Sequence, residues 1–196
     1  MSFKIVRLAA VLSGLFVGGC SSLGAQAASS SSSSSASDAS HAKLEQDARA
    51  ALARLYSSTP RAKALGTHSV AILVFPDILK AGLMFGGAGG NGVLFSRAGK
   101  VLGYYNTSAL SYGLQAGAQS FSEAMFLTKA DAMRYLDSSA GWSIGGGPSV
   151  VLADSGMGRD LSTTTLRPDV YAFIFGQTGL MAGLGVQGQK ITRLGS

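Results

Sequence analysis

The sequence predicts an α+β protein that is mainly β-rich: a curved antiparallel sheet or a barrel-like domain with a few short helices. Of its 196 residues, 46% are hydrophobic, only 13% are charged and 27 are glycine. This composition is typical of an ordered domain with little charged surface. From Ala81 to Ser96, apolar residues alternate with glycines, each of which disfavours a helix by about 1 kcal/mol relative to alanine. We therefore expect strands there.

One glycine pattern, G-L-x-x-G, occurs three times, at Gly82–Gly86, Gly113–Gly117 and Gly179–Gly183. The spacing between the copies is too irregular for a solenoid repeat. We interpret them as equivalent bends in one strongly curved sheet or barrel.

The first 19 residues have the pattern of a secretory signal. Lys4 and Arg7 form a basic region. The apolar stretch Leu8–Val17 is too short to span a bilayer, and small residues follow it up to Cys20. This arrangement resembles the bacterial lipobox, whose cysteine is acylated and becomes the mature N-terminus. The alternative is cleavage after Ala25–Ala27, but that site lies further from the apolar stretch. Because Cys20 is the only cysteine, we expect a lipid attachment point.

The lipobox divides the chain into three parts. Residues 1–19 are the predicted signal peptide, residues 20–40 a serine-rich tether that starts at lipidated Cys20, and residues 41–196 the folded domain. The tether lacks the apolar bulk that would offset the entropy of ordering it. Ser21, not aspartate, follows the cysteine, which resembles the outer-membrane sorting signal of enteric lipoproteins. We expect an outer-membrane anchor, with the domain in the periplasm or at the cell surface.

The first helix is predicted at His41–Ser57, where leucines and alanines recur on one face at helical spacing. This face is rich in alanine, which favours packing on the sheet. A basic amphipathic helix can also lie on a membrane, so that alternative stays open. Pro60 ends the helix or begins a short second one that reaches Leu65.

The strand predictions begin with the continuous apolar run Val70–Phe75, after which Pro76-Asp77 predicts a turn or short helix. Asn91-Gly92, flanked by apolar residues, predicts a type I′ hairpin turn. It would join the strands Gly82–Gly90 and Val93–Arg97.

The remaining elements follow from turn residues and apolar runs. Ala98–Lys100 predicts a second turn, Ser108–Leu127 further strands, and Lys129–Leu136 a short helix capped by Thr128. The later strands are predicted at Gly141–Gly147, Ser149–Ala153, Val170–Phe175, Leu180–Gln187 and Lys190–Arg193. A turn at Gly176–Gly179 would make a hairpin, and the last strand would lie at an edge.

The sequence predicts no catalytic site, metal site or cofactor. His41 and His68 have no metal-ligand spacing, and the sparse carboxylates lie mostly where helices or turns begin. The glycine run Gly86–Gly92 resembles a phosphate-binding loop only superficially, because a predicted strand follows it rather than a helix. Nucleic acid is not an expected partner, since the basic residues do not cluster with stacking aromatics.

Six basic residues around the first helix and first strand are candidate contacts for anionic phospholipid head groups. Near an anionic bilayer each is worth about 1 kcal/mol, although a solvated surface charge is the commoner role for any one of them. They are Lys43, Arg49, Arg54, Arg61, Lys63 and Lys80.

An ordered set of motifs between Leu44 and Leu194 resembles the SYLF domain family. The motifs are Val74–Pro76, Gly82–Gly92, Gly103–Tyr105, Gly113–Ser120, Gly145–Val150, Val170–Phe173 and Gly179–Gly183. The resemblance implies a non-enzymatic lipid-binding module. Its eukaryotic relatives bind phosphoinositides, in part through an N-terminal amphipathic helix, and its yeast relatives also bind actin filaments. His41–Ser57 is the matching helix, with fewer bulky apolar residues.

These observations predict a lipid-anchored bacterial envelope protein that binds anionic phospholipids without catalysis. The expected head groups are those of phosphatidic acid, cardiolipin or a phosphoinositide-like lipid. One alternative is a structural or partner-binding envelope lipoprotein, including contact with a host protein such as actin. Another is a hydrolase with a concealed site, which would need a buried polar cluster.

Overall fold

A computed structural model of the chain describes residues 29–138, 141–143, 150–153 and 169–195. The fold is α+β, as the sequence predicts. Its described elements are the helices α1 (Ser29–Ser58), α2 (Pro60–His68) and α3 (Ala130–Leu136) and the strands β1 (Ala71–Ser96), β2 (Val101–Leu127), β3 (Trp142–Ser143), β4 (Val150–Ala153) and β5 (Val170–Arg193). The described residues from Ser37 onward form one compact unit. The predicted signal peptide and Cys20 lie outside the described residues.

The strands form one sheet in the order β1-β2-β5-β3, with β4 paired to β5. The β4–β5 pair is parallel, whereas the other pairs are antiparallel. The sheet formed by the described residues is not closed into a barrel. Of the two shapes that the sequence left open, the barrel is therefore wrong.

Three strands are unusually long: β1, β2 and β5 contain 26, 27 and 24 residues. The predicted turn at Asn91-Gly92 is wrong, because these residues lie inside β1 opposite Asn106 and Tyr105 of β2. The hairpin turn between β1 and β2 is the second one predicted, where the Ser96 amide donates to the Lys100 carbonyl at 2.8 Å. Pairing with β2 satisfies the backbone groups of Asn91 and Gly92, and it overrides their turn preference.

Two other predicted breaks also lie within strands. Pro76-Asp77 marks a register shift in β1 between Phe75 and Ile78, not a turn or helix. Proline, which has no amide hydrogen, is tolerated at such bulges. Gly176–Gly179 lies within β5, so Leu180–Gln187 continues the same strand and makes no hairpin. Lys190–Arg193 is not an edge strand, because it pairs with β2 and part of it with β3.

The long strand β1 folds back on itself. A Cβ added at Gly92 would lie 2.7 Å from the carbonyl oxygen of Val74, so two parts of one strand, far apart in sequence, are in contact. The three G-L-x-x-G copies lie at the corresponding place in neighbouring strands: Gly82 pairs with Gly117, and Gly117 pairs with Met181. The copies are therefore neighbours in the sheet, although Gly179 pairs with Gln119, which lies outside the second copy.

Apolar side chains of β1 alternate between the two faces of the sheet and enter two buried clusters. One cluster contains Leu73, Phe75, Leu94, Tyr105, Met125, Leu127 and Ile191 with Trp142 and with Leu136 of α3. The other contains Ile72, Val74, Val93, Phe95, Phe126 and Phe173 with Ala48, Ala51, Leu55 and Ala62 of α1 and α2. Helices therefore cover both faces of this part of the sheet.

Two helix starts differ from the prediction. Helix α1 begins at Ser29, not at His41; the added residues contain no glycine or proline, and extending an existing helix costs little compared with nucleating one. Helix α3 begins at Ala130 after Lys129, without a side-chain cap. Thr128 instead donates its hydroxyl to the carbonyl of Asp169 at 3.0 Å, which ties β2 to the start of β5.

Candidate functional site

Helix α1 packs its alanine-rich face on the sheet, which confirms the packing interpretation of that face. Ala48, Ala51 and Leu55 are buried there. At its outer edge, the hydroxyl of Tyr104 donates to Glu45 Oε1 at 2.5 Å, and the ring of His41 stacks on Tyr104 with centroids 3.9 Å apart. The bond to Glu45, together with burial, raises the pKa of Tyr104 to about 12. These contacts fix α1 relative to β2.

A groove of about 570 Å³ lies between α1, α2 and the β1–β2 turn. The residues that line it are Arg49, Leu52, Tyr56, Lys63, Gly66, Thr67, Ile72, Phe95, Ser96, Arg97, Ala98 and Gly99. Three of them are cations, and none is a carboxylate. Leu52, Ile72 and Phe95 give the groove an apolar wall. This combination suits a ligand that is both anionic and partly apolar.

The two arginines of the groove are oriented by local contacts. Arg49 donates from Nη2 to the carbonyl of Gly99 at 3.0 Å, and its guanidinium carbon lies 4.7 Å from the centre of the Phe95 ring. Arg97 donates from Nε to the carbonyl of Ser69 at 3.1 Å. A guanidinium has five N–H donors, so each group can also bind an anion while these contacts hold it.

Neutral hydroxyl groups accompany the cations. Burial raises the pKa of Tyr56, so its hydroxyl stays protonated and can donate. Thr67 and Ser96 also line the groove. Phosphate oxygens accept bonds from such donors as well as from arginine.

Of the six basic residues proposed from sequence, the structure brings Arg49 and Lys63 together in this groove. Arg97 was missed, because it lies in the β1–β2 turn and joins the others only through tertiary packing. The other four do not line the groove. Lys43 is exposed on α1 and pairs with Asp47 at 2.6 Å; Arg54 is exposed on α1, and Arg61 and Lys80 are half-buried on α2 and β1.

A second cavity of about 760 Å³ lies beside the bend of the long strands. Its lining residues are Leu79, Ala81, Gly87, Ala88, Gly89, Ser108, Ala109, Leu110, Ser143, Gly188, Gln189 and Lys190. The two cavities have no lining residue in common. They are therefore separate.

A buried polar cluster adjoins this second cavity. Glu123 is only 3% exposed. The side-chain amide of Gln189 donates to Glu123 Oε2 at 2.9 Å and to Thr107 Oγ1 at 3.0 Å. Burial raises the pKa of Glu123, although the Gln189 bond acts in the opposite direction. A buried polar cluster thus exists, but Gln189, the described hydrogen-bonding partner of Glu123, is not a base that would make an acid–base pair.

Large apolar side chains are exposed at the bend of β1, β2 and β5. Leu83 is 75% exposed, Phe85 69% and Leu180 87%. The Phe85 ring packs only against that of Tyr112, at a centroid distance of 5.0 Å among the described ring contacts, and Tyr112 is itself exposed. Grouped exposed apolar side chains are a general feature of interaction surfaces.

None of the helices formed by the described residues has both the length and the hydropathy that crossing a membrane requires. Across the same residues, no three His, Cys, Asp or Glu side chains come together as metal ligands would. Comparison with family models gives no match, and comparison with curated proteins gives none either.

Proposed function

We propose that this chain binds anionic phospholipids without catalysing a reaction, and that the groove between α1, α2 and the β1–β2 turn takes the head group. The observation that supports this most is the lining of the groove: Arg49, Lys63 and Arg97 stand over an apolar wall, with no carboxylate among the lining residues. A lipid phosphate supplies the matching negative charge, and the glycerol and upper acyl chain supply apolar surface.

The two kinds of cation have different roles in this proposal. An arginine fork binds two phosphate oxygens at once, and its direction is set here by the Gly99 and Ser69 carbonyls. Lys63 is exposed on α2 and acts as a movable point charge. Phosphatidic acid, cardiolipin and phosphoinositide-like lipids all present the phosphate that these groups recognise, and the resemblance to the SYLF family agrees with this ligand class. Acylated Cys20 would hold the domain at the outer membrane.

A protein partner in the envelope or in a host is the second candidate. It is favoured by the exposed apolar side chains at the bend, which include Leu83 and Phe85. Such a partner would bind without any dependence on phospholipid.

The test is co-sedimentation of residues 37–196 with vesicles of phosphatidylcholine, with and without phosphatidic acid. Replacing Lys63→Glu is expected to weaken binding to the anionic vesicles about thirtyfold, since the reversal changes the charge by two units at about 1 kcal/mol each. Arg54→Glu is the matched control: it reverses an exposed cation on the neighbouring helix outside the groove, and it should change binding by less than about threefold.

Equal losses in both variants would show that only the overall charge matters, and would overturn the assignment of the groove. Absence of binding to every vesicle, with circular dichroism showing a folded domain, would overturn lipid binding altogether. The protein partner would then be the better candidate.

A further inference from the structure

The second cavity differs from the basic groove in both volume and chemistry. Its volume of about 760 Å³ falls within the range of about 300–1,000 Å³ that is typical of small-molecule sites. Its walls are formed mainly by small and aliphatic residues of β1 and β2. Leu79 and Leu110, which line it, are 59% and 81% exposed, so water contacts aliphatic surface that a ligand would cover.

One edge of the cavity carries a row of polar side chains. In the sheet, Lys190 of β5 lies between Ser108 of β2 and Ser143 of β3, and it pairs directly with both. Directly paired residues project from the same face of a sheet, and all three line the cavity. The row therefore presents one ammonium group and two hydroxyls to an anion, and no carboxylate is among the described lining residues.

The remaining polar wall residue, Gln189, is already engaged. Its amide nitrogen donates to Thr107 and to buried Glu123. Because Gln189 already has these partners, the part of a ligand that lies beyond the Lys190 row can be apolar.

We propose that this cavity binds a single-chain anionic amphiphile, with its alkyl chain along the wall that contains Leu79 and Leu110 and its anionic head group on Lys190, Ser108 and Ser143. The site is separate from the phospholipid groove and does not depend on it. Two sources share this ligand chemistry: a free fatty acid, with a carboxylate head, and a lysophospholipid, with a phosphate head. Gly87, Gly89 and Gly188, which line the cavity on the same face as the Lys190 row, have no side chain and leave the width that an alkyl chain needs.

Tryptophan fluorescence tests the proposal in the full chain. Trp142 is the only tryptophan; it precedes Ser143 at the cavity edge and pairs with Ile191 of β5. A brominated fatty acid, titrated below its micelle concentration, is expected to quench this emission in a saturable way. Unlabelled oleate and lysophosphatidic acid should each reverse the quenching if both sources are accepted; reversal by only one identifies the source.

Chain length and head-group charge separate this site from loose surface adsorption. Shortening the competing fatty acid by two methylenes should weaken it roughly tenfold, because each buried methylene contributes about 0.8 kcal/mol. An uncharged alcohol of the same chain length should compete at least about tenfold more weakly, because it lacks the charge that Lys190 binds. Competition independent of both chain length and charge would overturn the proposal.

Two variants and one matched control locate the ligand. Ala81→Leu adds bulk at an exposed wall position, where the fold tolerates it, and should weaken quenching at least about tenfold. Lys190→Glu should weaken anionic competitors and leave the alcohol unchanged. Lys63→Glu, in the other groove, should leave quenching unchanged while it weakens vesicle binding. If Ala81→Leu, with an unchanged circular dichroism spectrum, binds as the parent does, the cavity is not the site.

Discussion

At the scale of single residues, the least expected feature is Glu123, a carboxyl group placed almost fully inside the sheet. Water does not solvate its charged form there, so burial raises its pKa. Its described hydrogen-bonding partner, Gln189, cannot ionise. The folded protein therefore favours the protonated, neutral form of Glu123 over the carboxylate.

This placement predicts a pH-dependent stability that glutamine at position 123 would remove. Because the folded pKa of Glu123 lies above its unfolded value, the folded state binds the proton more tightly. The free energy of unfolding should then be highest below the unfolded pKa of about 4.3, and should fall as the pH rises through the folded pKa. Glu123→Gln keeps an acceptor for Gln189 and should flatten this fall. Urea unfolding between pH 5 and pH 8 gives the free energy of unfolding of the parent and of Glu123→Gln. Parallel pH profiles of the two proteins would contradict the prediction.

A second residue-scale prediction concerns Gly92, where two parts of β1 meet. A Cβ there would lie 2.7 Å from the Val74 carbonyl oxygen, closer than real contacts allow. Gly92→Ala should therefore lower the free energy of unfolding by about 1–3 kcal/mol. Gly188→Ala is the control, since nothing lies within 4 Å of its added Cβ, and it should change stability by less than about 0.5 kcal/mol. Thermal unfolding measures the stability of both variants. Equal losses in Gly92→Ala and Gly188→Ala would contradict the close approach of Gly92 to Val74.

At the scale of elements, α1 is held on the sheet by small residues and a few specific contacts. Ala48 and Ala51 let the helix approach closely, and Leu55 is a bulky apolar side chain buried beside them. Glu45 and Arg49 add contacts to Tyr104 and to the β1–β2 turn. The groove exists because this helix is fixed there.

Removing the bulk of Leu55 should therefore loosen the helix. Leu55→Ala is expected to cost about 2–5 kcal/mol of stability, as for other buried leucines. Arg54→Ala, one position earlier on the exposed side, should cost less than about 0.5 kcal/mol. Chemical unfolding gives both values, and hydrogen exchange of the α1 amides should rise only in the first variant. A cost below about 1 kcal/mol for Leu55→Ala would contradict the described packing.

At the scale of the whole molecule, the long strands extend beyond the part of the sheet that the helices cover. Where β1, β2 and β5 bend together, Leu83, Phe85 and Leu180 remain exposed. A folded chain gains nothing from this exposure, so the surface is expected to contact another apolar surface.

This surface should bind a hydrophobic fluorescent probe such as ANS in the native state. Leu83→Ser with Phe85→Ser should lower the probe signal while stability changes by less than about 1 kcal/mol, since both residues are largely exposed. Tyr135→Ser is the control, because it removes an exposed aromatic side chain on α3. If the control lowers the signal as much as the double variant does, the bend is not the probe's site.

The sequence by itself determined the α+β class, the short helix α3 and the turn after β1. These features depend on local periodicity and on glycine, which neighbouring residues reveal. It also identified Arg49 and Lys63 as candidates, but not their partner Arg97. The turn predicted at Asn91-Gly92 is wrong, because the turn preference of these two residues carries no information about whether they pair with a neighbouring strand.

Only the tertiary structure decided that β1 and β5 run unbroken and that the sheet stays open. It also decided which cations share a groove and that Glu123 meets Gln189. Each of these depends on pairing between residues far apart in the chain, such as Asn91 with Asn106 or Thr107 with Gln189. The free energy of such pairing comes from backbone hydrogen bonds and burial that exist only after the strands align. Local composition therefore cannot specify them.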